Sequence, residues 1–227
     1  MFLASVIYSK GGYGEKGGIT LTEDILNIIG TFAFAISGAL VAREEDYDIL
    51  GVYVLGFTTA FGGGLVRNLL IGIPIESIWT QDYLFTIAFL AITIVFIVPN
   101  KWIDQWKKGV VFFDAIGLAA FAIQGANYAV SIDSPLIAVI IAATMTGAGG
   151  GVIRDVFAGR KPMIFHSEIY ALWAALAGFA IGLEWISGPY ATFFLLIAIV
   201  LFRIVSVYFK WHLPHNAQVD KKGNMDS

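Results

Sequence analysis

Two glycine triplets, Gly62-Gly63-Gly64 and Gly149-Gly150-Gly151, lie 87 residues apart, and each is followed three residues later by an arginine, Arg67 and Arg154. The same offset, without a gap, pairs Gly30 with Gly117, Phe34 with Phe121, Gly38 with Gly125 and Gly72 with Gly159. Residues 27–72 share 17 identities with their partners over 46 positions, and Tyr83 matches Tyr170 further on. The chain is a tandem duplication. Both copies are embedded in apolar sequence, and two related membrane units interrupted by glycines are a hallmark of proteins that move small solutes across a bilayer.

The apolar content supports a membrane setting. Hydrophobic residues make up 58% and charged residues 14%, against about 45–50% and about 25% in soluble domains. They fall into segments close to the ~20 residues that cross a hydrocarbon core of ~30 Å. Seven helices are predicted, at roughly 24–42, 49–71, 82–98, 110–130, 136–158, 168–186 and 190–209, with Pro99 ending the third and residues 99–109 read as a connection. The expected fold is an all-α integral membrane protein of seven transmembrane helices: two inverted three-helix repeats plus a seventh helix. The expected organisation is a flexible N-terminal tail (1–21), repeat 1 (22–108), repeat 2 (109–188), the seventh span (189–211) and a flexible, polar C-terminal tail (212–227). Inversion follows from arithmetic, because a unit with an odd number of spans places its successor upside down.

Charge sets the expected orientation. Arg43, Lys101, Lys107, Lys108, Arg154, Arg160, Lys161, Arg203, Lys210, Lys221 and Lys222 collect on one side, and only Lys10, Lys16 and Arg67 on the other. The positive-inside rule then puts the C-terminus in the cytoplasm and the N-terminus outside. Trp102, Trp106 and Trp211 fall at the inner interface, Trp79 and Trp185 at the outer.

Several functions are excluded. With no cysteine there is neither a disulfide nor a Cys-ligated metal. No His-Glu-x-x-His, Gly-x-Ser-x-Gly or phosphate-loop pattern occurs, so no catalytic residue, metal site or cofactor is assigned. A net charge of -3 points to no nucleic-acid partner.

The triplets are the candidate gate or hinge. Consecutive glycines weaken a helix and leave its backbone uncovered, and backbone released from the helical ladder must line water or be buried in protein. A kink or break at each triplet, with backbone facing water, is the expectation; close helix packing through small residues is the competing account. Arg67 and Arg154 need partners if they face the interior, although an interfacial arginine reaching to water would need none. Depth nominates Asp114 for Arg154, and Asn27 or Asp24 for Arg67. Ser37 and Gln124 are repeat equivalents, and Gln124, the costlier to bury, is the better pore-lining residue.

These signatures resemble a known family. Gly62-Gly63-Gly64-Leu-Val-Arg67-Asn68 with Gly72 and Pro74, and Gly149-Gly150-Gly151-Val-Ile-Arg154-Asp155 with Gly159 and Pro162, resemble the paired glycine-arginine-aspartate signatures of prokaryotic TRIC (trimeric intracellular cation) channels. The run from Asp114 through Gly117 and Phe121 to Gly125 looks like that family's fourth-helix pattern. The resemblance covers roughly residues 22–210. It implies a homotrimer in the plasma membrane of a prokaryote, with lipid and the permeating potassium ion as its non-protein partners. It also implies one pore per protomer between the repeats, gated where the second and fifth helices bend at their glycines. Asn68 departs from the pattern, which usually has aspartate there, and the lysine-rich lipid-binding features of the animal members are not evident. A secondary transporter of a small solute such as an amino acid is the alternative.

Overall fold

The computed structural model describes residues 21–211, apart from 73, 75–77, 80 and 166–168. The tails expected over residues 1–21 and 212–227 lie, but for Leu21, outside the described residues. A chain this apolar must satisfy its backbone internally, and helices do so without help from side chains. Among the described residues seven α-helices result: α1 (Leu21–Glu44), α2 (Ile49–Ile71), α3 (Asp82–Ile97), α4 (Asn100–Ser131), α5 (Leu136–Phe157), α6 (Ala171–Gly182) and α7 (Gly188–Tyr208), with a short 3-10 turn at Met163–Phe165. Among the described residues there is no strand.

Two boundaries differ from expectation. Helix α4 begins at Asn100, so the predicted 99–109 connection is helical. Pro99 starts it with φ fixed at -60°, and residues 100–108 contain no glycine or proline to interrupt it. Helix α6 stops at Gly182, short of 186. Its 12 residues span only about 18 Å. It and the 16-residue α3 are the third helices of their units, and both are shorter than the ~20 residues that cross a hydrocarbon core, which the other five reach.

The duplication is visible bond by bond. Asp46 and Asp133, repeat equivalents, both adopt left-handed φ of 55° and 53°. Around them Tyr47 N donates to Ala42 O at 2.9 Å, and Ser134 N to Ala129 O at 3.0 Å. The α1–α2 and α4–α5 turns are therefore the same helix-terminating motif. Gly72 and Gly159 end α2 and α5 with φ of 73° and 69°.

Packing across the repeats is reciprocal. Helix α1 lies on α4 and α2 on α5, while α7 rests on α4 and α6. A Cβ added at Gly30 would meet the Phe121 ring at 2.7 Å, and one at Gly117 would meet the Phe34 ring at 2.0 Å. The two rings themselves stand edge to face, centroids 5.3 Å apart. Contacts of the form i to j′ and j to i′ are what a two-fold relation requires. The outer face of α7 (Tyr190, Phe194, Ile197, Leu201) is exposed and apolar, as a surface against lipid or another subunit must be.

Candidate functional site

The glycine triplets mark where α2 and α5 cross. A Cβ at Gly63 would stand 2.3 Å from Thr146 O and 3.1 Å from Gly150 N; one at Gly150 would stand 2.3 Å from Thr59 O. No side chain fits. Thr59 and Thr146 turn their hydroxyls back onto Leu55 O and Ala142 O, each at 2.6 Å, which keeps the crossing free of polar side chains. Both helices run unbroken through Gly62, Gly63 and Gly64 and through Gly149, Gly150 and Gly151. The expected break is absent from this conformation. Contact with the neighbouring backbone compensates for the low helical preference of glycine, so close packing accounts for the triplets here.

On either side of the crossing sits one arginine with its partners, and the two ends differ. Arg154 is fully buried. Its Nη1 donates to Asp114 Oδ1 and to Ser37 Oγ, both at 2.6 Å, and its Nε donates to Asp155 Oδ1 at 2.8 Å. Asp155 Oδ2 in turn accepts from Met163 N at 3.0 Å. The expected Arg154–Asp114 pair is present, and Ser37 reaches it from the other repeat. A buried guanidinium is tolerable because two carboxylates and a hydroxyl surround it. Tyr170, Arg203 and Ser206 extend this cluster: the Arg203 guanidinium lies 4.7 Å above the Tyr170 ring, and Trp173 Nε1 donates to Ser206 Oγ at 3.0 Å. Arg203 was read from sequence only as part of the charge bias. Its position on a helix outside the duplication left it without a counterpart to flag it.

At the other end Arg67, 7% exposed, donates through Nε and Nη2 to Asn68 Oδ1 at 3.0 and 2.8 Å and stacks 4.2 Å from the Tyr128 ring. Neither Asn27 nor Asp24 takes it, contrary to expectation. Asn27 Oδ1 accepts from Gln124 Nε2, and Asp24 interacts with Tyr83. The adjacent Asn68 amide is nearer to hand for the guanidinium. Tyr128 stands at the repeat position of Val41, so the duplication could not point to it.

Arg67 borders a cavity of about 40 Å³ that Asn27, Thr31, Gly64, Phe121, Gln124 and Thr146 also line. Gly64 and Thr146 among its lining place it beside the glycine crossing. At the Arg154 end an open recess lies beside Asp155, Arg160, Lys161 and Met163. Arg160 there pairs with Glu44 at 2.8 Å and with Glu45, and Tyr47 Oη donates to Phe157 O at 2.8 Å, tying the α1–α2 turn to the end of α5. Burial works against the Arg160 charge, but its bonds to Glu45 and Glu44 outweigh this and hold its pKa above the ordinary value.

A family model described as "Glycine transporter" matches the chain twice, over residues 24–100 and 111–185. The chain is 54% identical over 194 residues to the UPF0126 membrane protein YvgT of Bacillus subtilis (strain 168), covering 86% of this chain and 96% of that one. Among solved structures, it is similar to a chain from work on conductance through TRIC cation channels (39% identity, TM-score 0.74, 86% of this chain and 97% of the other). It is also similar to a prokaryotic TRIC channel solved in 0.5 M KCl (34% identity, TM-score 0.73, 84% and 98%).

Proposed function

This chain belongs to the prokaryotic TRIC channel family, and from that membership we propose that it is a cation channel of the bacterial plasma membrane. Potassium is the permeant ion, and each protomer of a homotrimer carries its own path between the two repeats. The observation that carries the reading is the pairing of a polar cavity at the Arg67 end with a seal of bare backbone at the Gly63–Gly150 contact. A polar entrance that stops at two helices without interlocking side chains is what a closed gate needs. Conduction then requires α2 and α5 to part there, and the conformation with the two helices in contact is the closed one.

The bias of basic residues supports placing the Arg67 end outside and the Arg154 end in the cytoplasm. Asp155, beside the recess at that inner end, contributes acidic character to the exit. The description of the matched family model favours a second reading, a carrier of small amino acids that exposes the cavity to each side in turn.

Purified protein in planar bilayers under a KCl gradient separates the two. Unitary currents reversing near the potassium potential are expected. Saturable, slow uptake of labelled glycine into liposomes, with no unitary current, would establish the carrier instead.

A further inference from the structure

The two arginines are equivalent under the duplication, yet among the described residues only Arg154 has carboxylates bonded to it. Asp114 and Asp155, the carboxylates that hold Arg154, correspond to Asn27 and Asn68. Both acids have become amides at the Arg67 end, which preserves shape and removes two negative charges. Arg67 is more than nine-tenths buried, and its Nη1 meets no hydrogen-bond partner. A buried guanidinium nitrogen left in that state is costly.

The glycines beside the arginines show where the missing charge would sit. A Cβ on Gly151 would meet Tyr170 Oη at 2.8 Å and Asp114 Oδ1 at 3.3 Å. Its repeat mate Gly64 would meet only Arg67 Nη2, at 3.8 Å. The space that the Asp114 carboxylate and the Tyr170 hydroxyl fill at one end is open at the other, and it belongs to the cavity that Arg67 lines.

We propose that this cavity is a binding site for a small carboxylate. Its oxygens approach the Arg67 guanidinium from the side of Gly64, where Nη2 borders the open space. The planar fork of a guanidinium matches a carboxylate better than a spherical anion. The Gln124 amide, already engaged with Asn27, and the Tyr128 ring bound the site. At about 40 Å³ the cavity holds on the order of three or four water-sized groups, which suits a ligand of acetate or glycine size. The assignment deepens the carrier reading, whose cavity it shares, and stands or falls separately from the conduction reading.

Thermal unfolding and calorimetric titration of the intact protein in detergent test it, with sodium acetate, glycine, sodium chloride and methylammonium chloride compared at equal ionic strength. Acetate, glycine or both should raise the melting temperature, as a ligand of the folded state does, while the two chloride salts should not. Acetate alone identifies a free anion as the natural ligand, and glycine alone a zwitterion. Asn27→Asp supplies the carboxylate from the chain. It should fold at least as stably as the parent and lose carboxylate affinity by about ten- to a hundredfold, the value of one charge-assisted contact. Gly64→Ala puts a methyl group into the cavity without clashing with the helix and should weaken binding by a similar factor. No shift with either carboxylate, an equal shift with chloride, or a shift that survives both substitutions overturns the proposal. Binding without ionic current, or current without binding, separates its failure from that of the channel reading.

Discussion

Replacing Gly63 with alanine tests how the gate is built. The new Cβ would lie 2.3 Å from Thr146 O, about 1 Å short of van der Waals contact. Both atoms belong to helical backbone and neither can rotate away, so α2 and α5 must separate locally by that amount. Overpacking of this kind costs about 1–3 kcal/mol. The gain in helical preference over glycine, about 1 kcal/mol, is the same whether the helices touch or not, and so leaves the equilibrium between closed and parted states unaffected. The closed contact alone bears the clash, so the population of the parted state should rise by roughly five- to a hundred-and-fiftyfold. Open probability in single-channel recordings reads this directly. Gly150→Ala, facing Thr59 O at 2.3 Å, should match it. Gly149→Ala, whose Cβ would meet Gly63 Cα at 3.2 Å, should have a smaller effect. The sign is decisive. If the triplets act as hinges within each helix, alanine stiffens them and opening becomes rarer; a fall in open probability in both Gly63→Ala and Gly150→Ala would refute the contact mechanism.

Three further substitutions probe the surroundings. Asp114→Asn leaves Arg154 with Asp155 as its sole carboxylate and should destabilise the protein by about 3–5 kcal/mol; a loss below about 1 kcal/mol in thermal unfolding would show that the pair does not anchor the repeats. Asn68→Asp gives Arg67 the carboxylate that Arg154 already has, and it should raise the melting temperature rather than lower it. Arg160→Ala removes a partly exposed ion pair with Glu44 and Glu45, so unfolding should move by less than about 1 kcal/mol at low ionic strength and hardly at all in high salt.

Much of the architecture was legible because a duplication imposes constraints that composition does not. An odd number of spans dictated inversion, and helix ends at matching depth brought Asp114 to Arg154. The partner of Arg67 was not legible in the same way. Asn27 had both Gln124 and Arg67 within plausible reach, and the choice depends on side-chain geometry across helices that no spacing encodes. Glycine triplets need not break a helix, for a physical reason. Intrinsic helical preference is a weak guide where no water competes for the backbone, and a bare helix surface that looks like a fault in one chain is a docking groove once its mate is present. The start of α4 illustrates the opposite error: Pro99 marks the end of one span, yet nothing in residues 100–108 breaks a helix.

The notches at Gly30 and Gly117 carry a consequence for assembly. Each half of the chain supplies the recess that receives the other half's phenyl ring, so neither possesses a complete interior. A lone half has one ready complement, another copy of itself turned over. Severed at the link between α3 and α4, the two pieces should recognise each other in the bilayer as lock and counter-lock, with fusion contributing only their orientation and their one-to-one ratio.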